Sequence, residues 1–216
     1  MPSEPQISHQ GSIGHQVPIL SVSLETENGS KELKRENGDI YMEFRYKVTY
    51  HGVDATNSTT AGPFTFCISI FRDELNYQLD RLVQGGSKSW VPCRYGQYCL
   101  GFVNDRPSKI QVAQSEEFVC LVPGESWEGS FTLDDDTWEF PDHLKTGAIF
   151  RFAFRGATIK WWDWGTKDGT HADTVVTFRG LGQSTRSDIL DEKNGGRPPV
   201  VVPHSNEIEL VLEDSD

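Results

Sequence analysis

Apolar and polar residues alternate with a period of two along much of this chain. From Ile40 to Tyr50, every second residue is large and apolar, and the residues between them are mainly polar. The same alternation recurs in 64–70 and in 148–155. Because successive side chains of a strand point to opposite faces, this period predicts strands with one buried face.

The pattern predicts about nine or ten short strands, separated by turns rich in Gly, Pro and Asn. The clearest strand segments are 19–24, 40–50, 64–70, 127–133, 148–155, 158–164, 174–178 and 208–212, and shorter candidates are 98–103, 109–114 and 117–122. Within 73–88, the spacing of Leu75, Leu79 and Leu82 favours one or two turns of amphipathic helix instead.

Many short strands with turns between them indicate an all-β domain. We predict a single antiparallel, immunoglobulin-like β-sandwich over 17–216, with at most one or two short helices. Residues 1–16 are polar and have no periodicity. We therefore predict that they form a flexible tail.

The segment 148–164 predicts a β-hairpin in detail. Gly156-Ala157 suits a two-residue type II′ turn, whose first position prefers glycine. This turn pairs residue 155 with 158 and residue 151 with 162. The face that it directs to the core then holds Phe150, Phe152, Phe154 and Trp161.

The opposite face of the predicted hairpin combines indoles with cations, and we take it as the candidate ligand-binding surface. It holds Arg151, Arg155, Lys160, Trp162 and Trp164. Indoles beside cations can stack on sugar rings, flat aromatic ligands or side chains of a partner, and we predict a cation–π contact between Arg151 and Trp162. The alternative is that another strand or 73–88 covers this face, because tryptophan is highly buried on average.

The composition explains how such a chain can fold and which partners it disfavours. Only 36% of the 216 residues are hydrophobic, but 12 Phe, 6 Tyr and 6 Trp raise the aromatic fraction to 11%, which argues against general disorder. The formal net charge of -12 disfavours binding to nucleic acid and to anionic membranes. There is also no apolar run long enough to span a membrane, so we expect neither partner.

The cysteines and the N-terminal sequence favour a cytoplasmic protein with reduced thiols. The first 16 residues contain no basic segment followed by an apolar one, which a secretion signal requires. Cys93 and Cys99 are near enough in sequence to close a small disulfide loop, but reduced cysteines are the stronger expectation. His171 and Asp173 share one predicted strand face without a third convergent ligand, and we expect no metal and no cofactor.

Catalytic motifs do not identify a reaction. The Gly-Glu-Ser turn at 124–126 lacks the second glycine of a nucleophile elbow, because Glu128 stands at that position. The acidic run 134–136 lacks the remaining ligands of an EF-hand calcium loop. The sequence therefore leaves open whether the protein is an enzyme.

Two resemblances bear on these expectations. The run Leu121-Val122-Pro123-Gly124-Glu125-Ser126, followed by Phe131-Thr132-Leu133, the strand 147–155 and Ser205-Asn206, is similar to immunoglobulin-like sandwich domains, including the intracellular proteinase inhibitor type. This resemblance covers roughly 115–213, and the region 73–112, with Cys93 and Cys99, is additional to such an inhibitor. The run Trp161-Trp162-Asp163-Trp164-Gly165-Thr166, with Asp173-Thr174, resembles uncharacterised intracellular proteins of filamentous fungi, which imply no activity.

From these observations we expect a non-catalytic binding or interaction module with a protein, small-molecule or glycan ligand. One alternative is a cytosolic carbohydrate-binding lectin that uses the same indoles. Another is a small isomerase or cyclase of a biosynthetic pathway, with a pocket inside the sandwich and no sequence motif. The oligomeric state is not determined by the sequence, although unprotected edge strands would allow a dimer.

Overall fold

A computed structural model describes residues 16–53, 61–84, 88–96, 107–141, 143–179, 188–189 and 194–215. These residues are mostly in strands, with one short α-helix, α1 (Ser69–Arg72), among them. Single 3₁₀ turns lie at Glu27–Gly29, Glu74–Asn76, Val112–Gln114 and Asn194–Gly196. The predicted all-β class with little helix is therefore confirmed.

The strands vary in length from two residues to fifteen. In chain order they are β1 (Pro18–Thr26), β2 (Glu32–Glu36), β3 (Asp39–Val53), β4 (Phe64–Cys67), β5 (Tyr77–Gln84), β6 (Lys88–Pro92), β7 (Arg94–Tyr95), β8 (Ser108–Gln111), β9 (Phe118–Leu121), β10 (Ser126–Asp134), β11 (Trp138–Glu139), β12 (Ile149–Phe154), β13 (Ala157–Ile159), β14 (Trp162–Trp164), β15 (Val175–Arg179), β16 (Asp188–Ile189), β17 (Val200–Val202) and β18 (Ile208–Asp214).

The largest sheet has the order β1-β3-β2-β18-β12-β5-β6, and β10 also pairs with β3. Its pairs are antiparallel except for β18 and β2, which run parallel. This sheet has two parts, one formed by β1, β3 and β10 and the other by β2, β18, β12, β5 and β6. The long strand β3 joins them, because it pairs with β2 near its start and with β1 over the rest of its length.

Aromatic rings from the two parts of the sheet meet in one core, which gives a sandwich-like arrangement. The ring of Phe44 on β3 lies 4.8 Å from that of Phe152 on β12, and the ring of Phe131 on β10 lies 4.7 Å from that of Tyr77 on β5. The predicted alternation of β3 is confirmed, because its even-numbered residues from Ile40 to Tyr50 are all buried. Each buried aromatic side chain of this core contributes about 1.5–3 kcal/mol to the free energy of folding by leaving water.

Short sheets extend this core. One has the order β14-β4-β9, and another has the order β16-β15-β8. A second, smaller apolar cluster forms beside them, where the ring of Phe118 lies 5.1 Å from Trp161 and 6.0 Å from Phe178. Trp161 is thus buried as predicted, but in this cluster and not beside Phe150, Phe152 and Phe154.

The prediction of a helix within 73–88 is wrong. Only a 3₁₀ turn forms there, and β5 follows it and pairs with β12 on one edge and β6 on the other. As an inner strand, β5 satisfies its backbone hydrogen bonds on both edges and buries Tyr77 and Leu79. A helix of two turns would be only marginally stable by itself, so tertiary pairing overrides the helical spacing of the leucines.

Other differences from the prediction are local. The strand that begins at Phe64 ends at Cys67 and is followed by α1, and β2, β6 and β17 lie where no strand was predicted. The predicted strand 98–103 and nearly all of the predicted tail lie outside the described residues. No helix among the residues described is long and apolar enough to cross a membrane.

Candidate functional site

The hairpin predicted for 148–164 does not form. Both edges of β12 are occupied, by β5 and by β18, so the following segment has no free edge to pair with. The chain turns at Gly156, which has a φ of 87°, and β13 then pairs with β17 while β14 pairs with β4. The cations and indoles expected on one face are therefore distributed over different parts of the molecule.

The two indoles of that prediction belong to the core and its border. Trp162 is only 1% exposed, its ring lies 5.7 Å from Phe64, and its Nε1 donates to the carbonyl oxygen of Pro198 at 3.0 Å. Trp164 is partly buried, with its ring 5.5 Å from that of Trp162. An exposed stacking platform built from both indoles is thus ruled out, and the covered-face alternative is correct for Trp162.

Two of the three predicted cations do lie together. Arg151 and Arg155 line one cleft on the outer side of β12, whereas Lys160 is exposed in the link between β13 and β14 and does not line this cleft. The cation–π contact predicted between Arg151 and Trp162 is wrong. The guanidinium of Arg151 lies instead over the ring of Trp90 on β6, 4.7 Å from its centroid.

This cleft, which we call the Ala153 groove, is the best candidate site. It is open to solvent, has a volume of about 320 Å³ and is lined by Gln78, Asp80, Arg151, Ala153, Phe154, Arg155, His204, Ser205 and Glu207. Because Phe152 and Phe154 point into the core, Ala153 faces outward between Arg151 on β12 and Arg155, which directly follows this strand. Its small side chain forms the floor, and its cross-strand partner Gln78 stands at one side.

One end of the groove is held rigid around a buried carboxylate. Asp80 is only 3% exposed, and it accepts a hydrogen bond from Nε of Arg151 at 2.9 Å. Nε2 of Gln78 donates to both carboxylate oxygens of Asp80, at 2.8 and 3.0 Å. Nη1 of Arg151 also lies 3.4 Å from a carboxylate oxygen of Glu207, whose side chain is mostly exposed. A buried charge persists only when it is paired and hydrogen-bonded, and these contacts provide that pairing.

The other end of the groove carries a second arginine. Arg155 is exposed, and no ion pair of Arg155 occurs among the described residues. His204 also lines the groove, and its Nδ1 donates to the carbonyl oxygen of Ser205 at 3.1 Å. Ser205 fixes this end, because its Oγ accepts from the backbone N–H of Phe154.

The residues considered as metal ligands have structural roles. His171 is 2% exposed, and its Nε2 donates to the carbonyl oxygen of Trp164 at 3.1 Å while its Nδ1 lies 3.2 Å from the hydroxyl of Thr174. With both ring nitrogens occupied, His171 has no lone pair for a metal ion. Within the described ranges, no group of three His, Cys, Asp or Glu side chains is placed to hold a metal.

The thiols of the described cysteines are free. Cys67, Cys93 and Cys120 form no disulfide, and Cys99, the other half of the small loop considered above, lies outside the described residues. Burial raises the pKa of the Cys93 thiol to about 11, and it also raises the pKa of the Cys67 thiol. Both groups are therefore protonated and weakly nucleophilic near neutral pH.

Sequence reasoning missed most of the groove. Asp80 and Gln78 lay in the segment expected to be helical, and Glu207 and His204 lay in a link without periodicity. One signal was available, since Asp80 lies between Leu79 and Leu82, and an acid that is buried beside such residues needs a cationic partner. The identity of that partner depends on β5 pairing with β12, which no local pattern encodes.

Comparisons with known proteins do not add to this picture. Neither a protein-family model, nor a curated protein, nor a solved structure matches the chain.

Proposed function

We propose that this protein is a non-catalytic binding module and that the Ala153 groove is its ligand site. The observation that carries the proposal is the hydrogen-bonded ion pair of Asp80 and Arg151 at one end of a cleft whose opposite end exposes Arg155. Such an arrangement presents fixed polar groups around a small floor, which is typical of sites that orient a ligand by hydrogen bonds.

The contacts of the buried Asp80 favour a role in binding for this carboxylate. A general acid or base needs a free position from which to exchange a proton with a substrate. Both oxygens of the buried Asp80 already accept hydrogen bonds from Gln78, and one of them also accepts from Arg151. This supports a positioning role for Asp80, and it disfavours Asp80 as the general acid or base of an isomerase or cyclase.

The size of the groove favours a small ligand over a protein partner. A volume of about 320 Å³ lies at the lower end of the range for small-molecule sites. A protein interface would instead need about 800 Å² of surface from each partner. The ligand in this proposal is therefore a small molecule or one unit of a glycan, so the lectin alternative is retained at this groove instead of at Trp162 and Trp164.

Two further parts of the proposal concern topology and location. We propose that the sandwich is of the immunoglobulin-like kind, which is supported by its largely antiparallel strands and by the aromatic core between them. We also propose that the protein acts in the cytoplasm, which is consistent with free thiols at Cys67, Cys93 and Cys120. A dimer through edge strands stays a prediction.

A variant that fills the groove tests the proposal without removing a charge. The backbone amides of ¹⁵N-labelled protein are followed by NMR while a library of small polar compounds, namely carboxylates, phosphates, amines and monosaccharides, is added. We expect shifts around Gln78, Ala153 and Glu207 with at least one class, and we expect Ala153→Phe to abolish them. Ser130→Phe, which adds the same ring on the exposed face of β10, is the matched control and should leave them unchanged.

Two outcomes would overturn the proposal. One is that no compound of the library shifts the groove amides of the wild-type protein. The other is that Ala153→Phe, with a folded spectrum, binds as the wild type does.

A further inference from the structure

The charges of the Ala153 groove are arranged unevenly along β12. At one end, Arg151 is paired with Asp80 and lies near Glu207. At the other end, Arg155 has no ion pair with any residue that the structure describes. Although the protein has a net charge of -12, this guanidinium can attract a carboxylate or phosphate oxygen locally.

The same groove also disfavours a strongly charged anion. The carboxylate of Glu207 lines it and is 59% exposed at the side chain, and Nη1 of Arg151 lies 3.4 Å from it. A phosphate dianion on Arg155 would be repelled by this carboxylate, whereas a singly charged group carries half of that repulsion. The groove therefore suits one negative charge, which is the charge of a monocarboxylate near neutral pH.

Besides the unused N–H groups of the two arginines, the groove presents acceptors. Nε2 of Gln78 is used on Asp80, which leaves its side-chain carbonyl oxygen free to accept. Glu207 keeps most of its acceptor positions as well. Acceptors around a small floor require donors on the ligand, and hydroxyl groups are donors that add no charge.

We propose that the Ala153 groove binds a small hydroxylated monocarboxylate, the chemical class of the hexuronic and sugar acids. The ligand carboxylate pairs with Arg155, and its hydroxyl groups donate to Glu207 and to the side-chain carbonyl of Gln78. This inference rests on the proposed function, because it names the ligand class of the same site.

The test compares four soluble probes that separate charge from hydroxyl groups. Glucuronate has both, glucose lacks the carboxylate, acetate lacks the hydroxyls, and glucose 6-phosphate carries a dianion. Dissociation constants are measured from the NMR shifts of the groove amides. We expect glucuronate to bind at least about tenfold more tightly than each of the other three, because a hydrogen-bonded pair of charges discriminates by roughly that factor or more.

Two arginine variants assign the carboxylate contact. Arg155→Gln should reduce glucuronate binding to about the level of glucose, because it removes the charge that pairs with the carboxylate. Arg45→Gln, which changes an exposed arginine on β3 outside the groove, should leave it unchanged. Equal losses for both variants would show a general charge effect and would overturn the assignment to Arg155.

Failure of the ligand class and failure of the binding site give different results. If glucose, acetate or the phosphate ester binds as tightly as glucuronate, and Ala153→Phe still abolishes that binding, the ligand class is wrong and the site stands. If none of the four probes shifts the groove amides but another compound of the library does, the ligand class is again wrong. If no compound shifts them, the proposed function itself fails.

Discussion

Trp162→Ala should strongly destabilise the fold, because its indole is a core group. The side chain is only 1% exposed, its ring packs 5.7 Å from Phe64 and 5.5 Å from Trp164, and Nε1 donates to Pro198. The substitution removes the transfer free energy of the indole, leaves a cavity and loses this hydrogen bond. The sequence alone allowed the opposite expectation, namely a surface indole whose removal affects only ligand binding.

The magnitude follows from measured large-to-small substitutions in cores. Replacing a buried Trp by Ala costs about 3–5 kcal/mol of unfolding free energy. Typical domains have only about 5–15 kcal/mol in total, so a large fraction of the stability would be lost. For a chain of this length, the loss corresponds to a fall in Tm of about 6–20 °C.

The measurement is a urea titration followed by far-UV circular dichroism, whose signal does not depend on a single indole. Trp162→Phe keeps an aromatic ring in the site and should cost less than the alanine variant. Trp90→Ala is the matched control, because this half-buried indole contacts Arg151 on the outer face, and its loss should cost about 1 kcal/mol or less. If Trp162→Ala costs under about 1 kcal/mol with an unchanged m-value, the placement of this indole in the core is wrong.

Three further changes test other parts of the structure. Gly129→Ala should cost about 1–3 kcal/mol, because its Cβ would clash with the buried ring of Tyr46, whereas Gly62→Ala has open space and should be nearly neutral in the same urea titration. The pKa of the Cys93 thiol is raised from 9.0 to about 11, so this thiol ionises more easily in the unfolded chain. The stabilising contribution of the protonated thiol is therefore present below pH 9 and is lost as the pH rises from 9 to 11. Its reaction with a thiol reagent at about pH 8 should be much slower in folded than in urea-unfolded protein, and equal rates would contradict this. Asp80→Asn should lower the unfolding free energy by about 1.5–3 kcal/mol, and a loss below about 0.5 kcal/mol would show that the buried carboxylate is not held by its contacts.

Much of the strand pattern could be predicted from the chain alone. The alternation from Ile40 to Tyr50 identifies β3 and its buried face, and Phe150, Phe152 and Phe154 identify the core face of β12. Such predictions succeed because side-chain direction in a strand depends only on position along that strand. The leucines of β5 show the limit, since their spacing also fits a helix, and pairing with two neighbours decides the conformation.

Only part of the candidate site could be predicted from the sequence. Arg151 and Arg155 could be placed on one outward face, because they alternate with core phenylalanines. Trp162 could not be placed, because its position depended on a hairpin that would need a free edge of β12. A plausible turn sequence at Gly156 says nothing about whether that edge is already occupied.

The sequence by itself therefore determined the all-β class, the buried faces of β3 and β12 and the outward direction of Arg151 and Arg155. Only the tertiary structure decided which strands are neighbours, and so which polar groups meet. Arg151 and Asp80 are 71 positions apart, and they form an ion pair only because β12 and β5 are neighbours in one sheet. Alternation is a local property of the backbone. Strand pairing depends on which distant strand edges are free, and this is decided only when the whole chain folds around its aromatic core.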